Sequence, residues 1–163
     1  MTMSGTPKKA TVLSVAEYFI DKANQDKKPI TNKKLQKLVY YAQAWSLVLK
    51  NKKLFDEKIE AWVHGPAIKS LYVKYKSFGF NYIKKEADTA SLKSLSADNK
   101  KLLDSVWSVY GGLDADYLEM LTHSETPWKE AREGLQSSQN SENEISTKSM
   151  KSFYSQKLET AKK

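Results

Sequence analysis

The sequence predicts a mainly α-helical single domain, with about six or seven helices packed around a central apolar helix at residues 31–51. The chain has 163 residues, 40% of them hydrophobic, which is enough for one compact domain with a substantial core. Apolar residues recur at helical spacing along most of the chain. Strand-like alternation of apolar residues is confined to residues 59–63, and this predicts a minor short β element.

The N-terminal part is predicted to contain a flexible leader and two helices. We expect the leader at residues 1–13 and the folded domain at residues 14–160. Ser14-Val15-Ala16-Glu17 has the pattern of a capping box, which predicts a first helix over residues 14–24. Thr31 caps the central helix, which is apolar on nearly all sides, as is typical of a buried helix.

The remaining elements are predicted from breaks and caps. His64-Gly65-Pro66 should end the short strand and begin a helix with proline at its first position. Residues 80–95 are expected to form an exposed lysine-rich loop with an extended start, and residues 136–144 a mobile polar loop. Four further helices are predicted to begin at capping residues: Ser96, Asp114, Thr126 and Ser146.

Lysine dominates the charge of the protein. Lys and Arg total 27 against 19 Asp and Glu, for a net charge of +8. Residues 1–101 hold 20 basic and 9 acidic residues, whereas residues 102–163 hold 7 and 10. Clustered lysines favour nucleic-acid binding, but Arg132 is the sole arginine, and arginine is the residue best suited to reading bases. Solvated lysine faces are favoured, and an acidic protein partner would suit them equally well.

Composition also limits the compartment and the chemistry. The absence of cysteine excludes disulfides, thiolate zinc sites and thiol nucleophiles. No stretch approaches the ~18 apolar residues of a membrane span, and the N-terminus has no secretory signal pattern. We therefore expect a cytoplasmic protein with no membrane partner.

The sequence contains no pattern that requires catalysis. His64 and His123 have no third metal ligand at a recognised spacing, and glycine-rich phosphate loops are absent. We expect no metal, no cofactor and no catalytic residue. The alternative is a small hydrolase that uses His64 or His123 as a general base, which would need a nucleophile within hydrogen-bond reach.

Three blocks in a constant order resemble the motifs of the Panacea domain family, also called SocA-like. They are LQKLVYYAQAW at residues 35–45, FDEKIEAWVHGP at residues 55–66 and LTHSETPWKEAR at residues 121–132. The resemblance covers about residues 13–158. It implies a prophage- or phage-associated bacterial antitoxin whose partner is a cognate toxin, encoded by the adjacent gene and neutralised by direct protein contact.

The resemblance also implies roles for individual residues and partners. At least one family member delivers its toxin to a cellular protease, which adds a protease as a second partner. Seven motif residues are expected to serve the fold: Leu35, Trp45, Gly65, Pro66, His123, Pro127 and Trp128. A nucleic-acid-binding phage or prophage regulatory protein stays the alternative function.

A partner-binding surface is predicted on the central helix, the short strand and the start of the following helix. Trp62 lies on the opposite side of the strand from Ala61, and partly exposed aromatic side chains are typical interface anchors. Six residues are expected to form this surface: Gln36, Lys37, Tyr40, Trp62, His64 and Lys69. The competing interpretation is that Trp62, like the other motif residues, serves folding alone.

Overall fold

The elements of the domain follow the chain in a computed structural model that describes residues 9–162. They are α1 (Val12–Asp26), α2 (Asn32–Leu49), β1 (Glu60–Trp62), β2 (Gly65–Ala67), α3 (Lys69–Lys74), a 3-10 turn (Lys76–Phe78), α4 (Thr89–Lys93), α5 (Ala97–Tyr110), α6 (Ala115–Ser124), α7 (Thr126–Ala131) and α8 (Thr147–Ala161). The described residues thus form eight α-helices and a two-stranded sheet. The predicted fold class, mainly helical with a minor β element, is confirmed.

Helix α2 is the centre of the core, as predicted. Fourteen of its 18 residues are buried, and it contacts α1, α5, α6, α8 and β2. The side chain of Thr31 caps it by accepting a hydrogen bond from the Lys34 amide at 3.2 Å. Its buried polar groups are satisfied internally: Gln43, for example, donates to the Phe55 carbonyl and accepts from the Leu54 amide.

Helix α1 begins earlier than predicted. Its cap is Thr11, whose side chain accepts from the Ser14 amide at 3.0 Å, while the Ser14 hydroxyl accepts from the Thr11 amide. Ser14 is therefore the third residue of a capping box and not its first. Glu17 is buried and accepts from the Tyr75 hydroxyl instead. Residues 1–8 of the predicted leader lie outside the described residues.

The strands β1 and β2 form an antiparallel hairpin that contradicts one prediction. Trp62 pairs with Gly65 across the two-residue turn Val63-His64. Pro66 therefore lies in a strand and does not begin a helix; α3 starts at Lys69. Gly65 adopts φ +111°, which a turn needs and which other residues avoid. Proline has no amide to donate, which suits a strand at a sheet edge.

The outer edge of β1 is closed by a distant segment, residues 143–145. The Ala61 amide donates to the Asn143 carbonyl and the Ile145 amide to the Ile59 carbonyl, both at 2.8 Å. Glu60 and Glu144 form an isolated bridge at this position. The end of the predicted polar loop is thus hydrogen-bonded to the sheet.

Two other expectations about local structure are corrected, and three are confirmed. Residues 80–95 are not a loop throughout, because α4 lies within them and is too short for a periodic pattern to reveal. Thr126 is the first residue of α7, and Glu125 occupies the cap position. The other three caps are confirmed by side-chain hydrogen bonds to the amide three residues on: Ser96, Asp114 and Ser146. No helix within residues 9–162 has the length and apolar character needed to span a bilayer.

Candidate functional site

Parts of all three motif blocks meet beneath the hairpin turn. Lys37 from α2 is 2% exposed, and its ammonium donates to the Pro66 carbonyl at 3.2 Å. Gly65 lies directly over this side chain. A Cβ atom at Gly65 would lie 2.6 Å from Lys37 Cε and 3.0 Å from Thr122 Oγ1. The absence of a side chain at this glycine lets α2, the hairpin and α6 approach each other closely.

Ionisable groups surround this contact. Burial lowers the pKa of Lys37 to about 7, against the attraction of the Glu119 carboxylate. Glu119 forms an ion pair with Lys33 and accepts from His64 Nδ1 at 3.1 Å. Burial opposes its ionisation, yet the hydrogen bonds from Lys33 and His64 hold the pKa of Glu119 below its usual value. Burial lowers the pKa of His123. The site is therefore a cluster of coupled charges at the base of an exposed turn.

The third block clamps β1 from the other side. Trp128 Nε1 donates to the Trp62 carbonyl at 2.8 Å, and Arg132 Nη1 donates to the Ala61 carbonyl at 2.9 Å. The guanidinium of Arg132 lies 5.1 Å from the centre of the Trp128 ring, whose other contacts include the stacked ring of His123 at 3.9 Å. The lone arginine is thus buried and committed to holding the hairpin.

A second polar network lies deeper in the core. Glu125 is 3% exposed, and its Oε1 accepts from the hydroxyls of Tyr41 at 2.8 Å and Tyr154 at 2.7 Å. Its Oε2 accepts from Lys157 at 3.0 Å. The Tyr40 and Tyr154 hydroxyls are hydrogen-bonded at 3.0 Å. Burial raises the pKa of Tyr41, as do the negative charge of Glu125 and the hydrogen bond to it.

Sequence reasoning missed the role of Glu125 and Tyr154. A carboxylate with exposed neighbours on both sides, Ser124 and Thr126, does not look buried in a linear pattern. The available signal is its place inside the block LTHSETPW, one of the three that carry the family resemblance. Tyr154 stands at core spacing in α8, and nothing local indicates the partner of its hydroxyl.

The structure does not bring the six predicted partner-binding residues together on one surface. Gln36, Lys37 and Tyr40 are buried, so their expected exposure is corrected. The physical reason is that neighbouring elements enclose α2 and use its polar atoms. Gln36 Oε1, for instance, accepts from the Ile68 amide at 2.8 Å.

The other three predicted partner-binding residues remain accessible. Trp62 is half-buried, and His64 and Lys69 are exposed on the hairpin and at the start of α3. They lie on the solvent side of the turn beneath which Lys37 is buried. These three stay candidates for partner contact.

The motif residues expected to serve the fold lie in or against the core. Leu35, Pro127 and Trp128 are buried, as are Gly65 and Pro66 in the hairpin. The other two are partly buried. Trp45 donates through Nε1 to the Tyr110 hydroxyl at 2.9 Å, and His123 stacks on Trp128. Across residues 9–162, no group of three or more His, Asp or Glu side chains could hold a metal ion.

The buried ammonium of Lys37 predicts a pH-dependent stability. Its pKa is about 7 in the folded protein and about 10.4 in an unfolded chain, so between these values the unfolded chain binds the additional proton. Raising the pH from about 7 to about 9.5 should therefore increase the free energy of unfolding, by up to about 1.4 kcal/mol per pH unit. Above about pH 10 the buried tyrosines, whose pKa values are raised, contribute with the opposite sign.

Urea unfolding across this pH range measures the effect. Lys37→Met should reduce the slope, whereas Lys129→Met, which changes an exposed lysine on α7, should leave it unchanged. A flat wild-type profile, or a slope that Lys37→Met retains, would contradict the assignment.

Comparison with known proteins agrees with this geometry. The chain matches the family described as "Antitoxin SocA-like, Panacea domain" over residues 35–129, a range that includes all of the first two blocks and most of the third. It is similar to Antitoxin SocA of Caulobacter vibrioides (strain NA1000 / CB15N), with 30% identity over 132 residues that cover 75% of this chain and 70% of that protein. No solved structure matches the chain. On these two matches, the chain belongs to the SocA-like antitoxin family with a Panacea domain.

Proposed function

We propose that this protein is the antitoxin of a bacterial toxin–antitoxin pair and that it neutralises its cognate toxin by direct protein–protein contact. The observation that carries the proposal is the family match over residues 35–129, supported by the relative named Antitoxin SocA. The protein acts as a binding protein, without catalysis, in the cytoplasm, where its toxin is made.

The arrangement of the motif residues supports this role. The polar groups of Lys37 and Glu125, and the guanidinium of Arg132, all hydrogen-bond to other parts of the same chain. The blocks thus build a rigid scaffold, and the accessible part of the candidate site is the turn around Trp62 and His64. A preformed, rigid surface loses little conformational entropy on binding, which suits tight capture of a partner.

Two routes of neutralisation share this contact and differ in the fate of the toxin. Masking leaves the amount of toxin unchanged, because the complex is stable. An adaptor that delivers the toxin to a cellular protease lowers the amount of toxin in a protease-dependent manner. We favour masking, and the level of toxin in the cell distinguishes the two routes.

Co-expression with the protein encoded by the adjacent gene tests the proposal. Expression of that protein alone should arrest growth, and co-expression of this chain should restore growth and yield a complex that co-purifies. An inactive toxin variant with an epitope tag permits the purification without killing the cells. Growth arrest that persists without any complex would reject the antitoxin role.

A further inference from the structure

One continuous stretch of the chain, residues 61–85, is positively charged throughout. It contains five lysines and no acidic residue, although 28% of the whole chain is charged. Lys69 approaches Glu142 at 3.5 Å, with both side chains mostly exposed, so the pair is weak. Lys74, Lys76 and Lys84 form no ion pair with any other residue in 9–162. Positive charge is therefore uncompensated on this part of the surface.

The same stretch exposes large apolar side chains. Val73 is 62% exposed, Phe80 is completely exposed, and Tyr72 and Tyr82 are also accessible. Single exposed apolar residues are common, but several in a 25-residue stretch with no acidic residue are not an ordinary solvated surface. Phe80 in particular gains nothing from its position in the isolated protein.

Contacts with the start of α2 hold these side chains in one region. The ring of Tyr72 lies 5.3 Å from the ring of Trp62 in an edge-to-face arrangement. The Asn32 side chain donates to the Tyr72 carbonyl at 3.1 Å, and the preceding residue, Thr31, bridges to Tyr82. Tyr72 and Tyr82 are thus fixed to adjacent residues of the chain.

These residues define a surface that we call the basic aromatic face. It consists of Trp62, Lys69, Tyr72, Val73, Phe80 and Tyr82, with Lys74 and Lys76 beside them. Two of its members, Trp62 and Lys69, are among the residues that the sequence predicts for partner contact. The buried motif residues lie beneath its hairpin edge.

We propose that the basic aromatic face is the surface that docks the toxin, and that the toxin presents to it an acidic patch with an apolar centre. This inference rests on the proposed antitoxin function and names the surface that performs it. Aromatic side chains with adjacent lysines match such a patch, because the apolar rings bury area while the lysines orient the encounter.

Charge and composition argue against other occupants. A second copy of the chain would bring two lysine-rich faces together, and their like charges repel. A nucleic acid would suit the lysines but would gain little from Val73. Arg132, the sole arginine, is buried beneath the hairpin and cannot reach phosphates or bases.

Two variants of the face and one matched control test the proposal. Lys74→Glu/Lys76→Glu reverses the charge of the face, and Phe80→Ser removes its most exposed apolar group. Lys129→Glu/Lys148→Glu makes the same charge change at exposed lysines on α7 and α8. Affinity for the purified inactive toxin is measured by calorimetry, and circular dichroism confirms that each variant is folded.

The expected result is a loss of affinity of about tenfold or more for each face variant and less than about threefold for the control. Face variants that bind the toxin as tightly as wild type overturn the docking surface and leave the antitoxin function standing. A wild-type protein that binds no toxin rejects the proposed function itself. If the face variants lose salt-dependent binding to a DNA or RNA oligonucleotide while toxin binding persists, the face is a nucleic-acid surface and the proposal is overturned.

Discussion

Gly65→Ala is expected to destabilise the protein by about 3 kcal/mol or more, through backbone strain and a buried clash together. The residue adopts φ +111°, where a side chain is strained by ~1–3 kcal/mol. The new Cβ would also lie 2.6 Å from Lys37 Cε. Lys37 could retreat only by giving up its hydrogen bond to Pro66 in a buried position, which costs a further ~1–3 kcal/mol.

The chain supplies a control that separates the two causes. Gly134 also has positive φ, +86°, but a Cβ atom there meets nothing within 4 Å. Gly134→Ala should therefore show the strain without the clash, and urea unfolding should find Gly65→Ala the more destabilising of the two. In the double variant Lys37→Ala/Gly65→Ala, space is restored, so the two effects should not add. Equal losses for Gly65→Ala and Gly134→Ala would refute the close contact.

Glu125→Ala is expected to cost about 3 kcal/mol or more, because it removes the acceptor shared by two buried hydroxyls. Tyr41 would lose its hydrogen-bond acceptor entirely, and Tyr154 would keep only its bond to Tyr40. A buried donor without a partner costs ~1–3 kcal/mol, and a cavity adds to this. Lys157 is close to half exposed and can turn to water, so it contributes little.

Two further substitutions make this result interpretable. Glu125→Gln keeps an oxygen that can accept from both tyrosines and should lose clearly less stability than Glu125→Ala. Glu130→Ala changes an exposed glutamate on the same helix, α7, and should stay within about 0.5 kcal/mol of wild type. Chemical denaturation measures all three. A loss below about 1 kcal/mol for Glu125→Ala would show that the network does not stabilise the core.

The sequence was a good guide wherever the signal is local. Thr31, Ser96 and Ser146 cap the helices they were predicted to cap, since a capping side chain bonds to an amide only three residues away. The central position of α2 followed from its apolar character on nearly all sides. Both kinds of inference need only residues that lie within one element.

Features that depend on distant residues escaped prediction. Gln36, Lys37 and Tyr40 look like exposed polar positions, but the Ile68 amide, the Pro66 carbonyl and the Tyr154 hydroxyl satisfy them inside the core. The hairpin at Pro66 was mistaken for a helix start because Gly-Pro is common at both. Only the pairing with β1 distinguishes the two cases.

The closure of β1 by residues 143–145 has a consequence for the order of folding. Strand β1 obtains its outer neighbour from a segment about 80 residues further along the chain, a separation that slows closure. During synthesis α1, α2 and the hairpin emerge first, and the amide of Ala61 waits for Asn143. An unfinished chain therefore presents an open strand edge, a template for pairing with other chains. Completion of translation, and not the appearance of the hairpin, marks the point at which the antitoxin is mature.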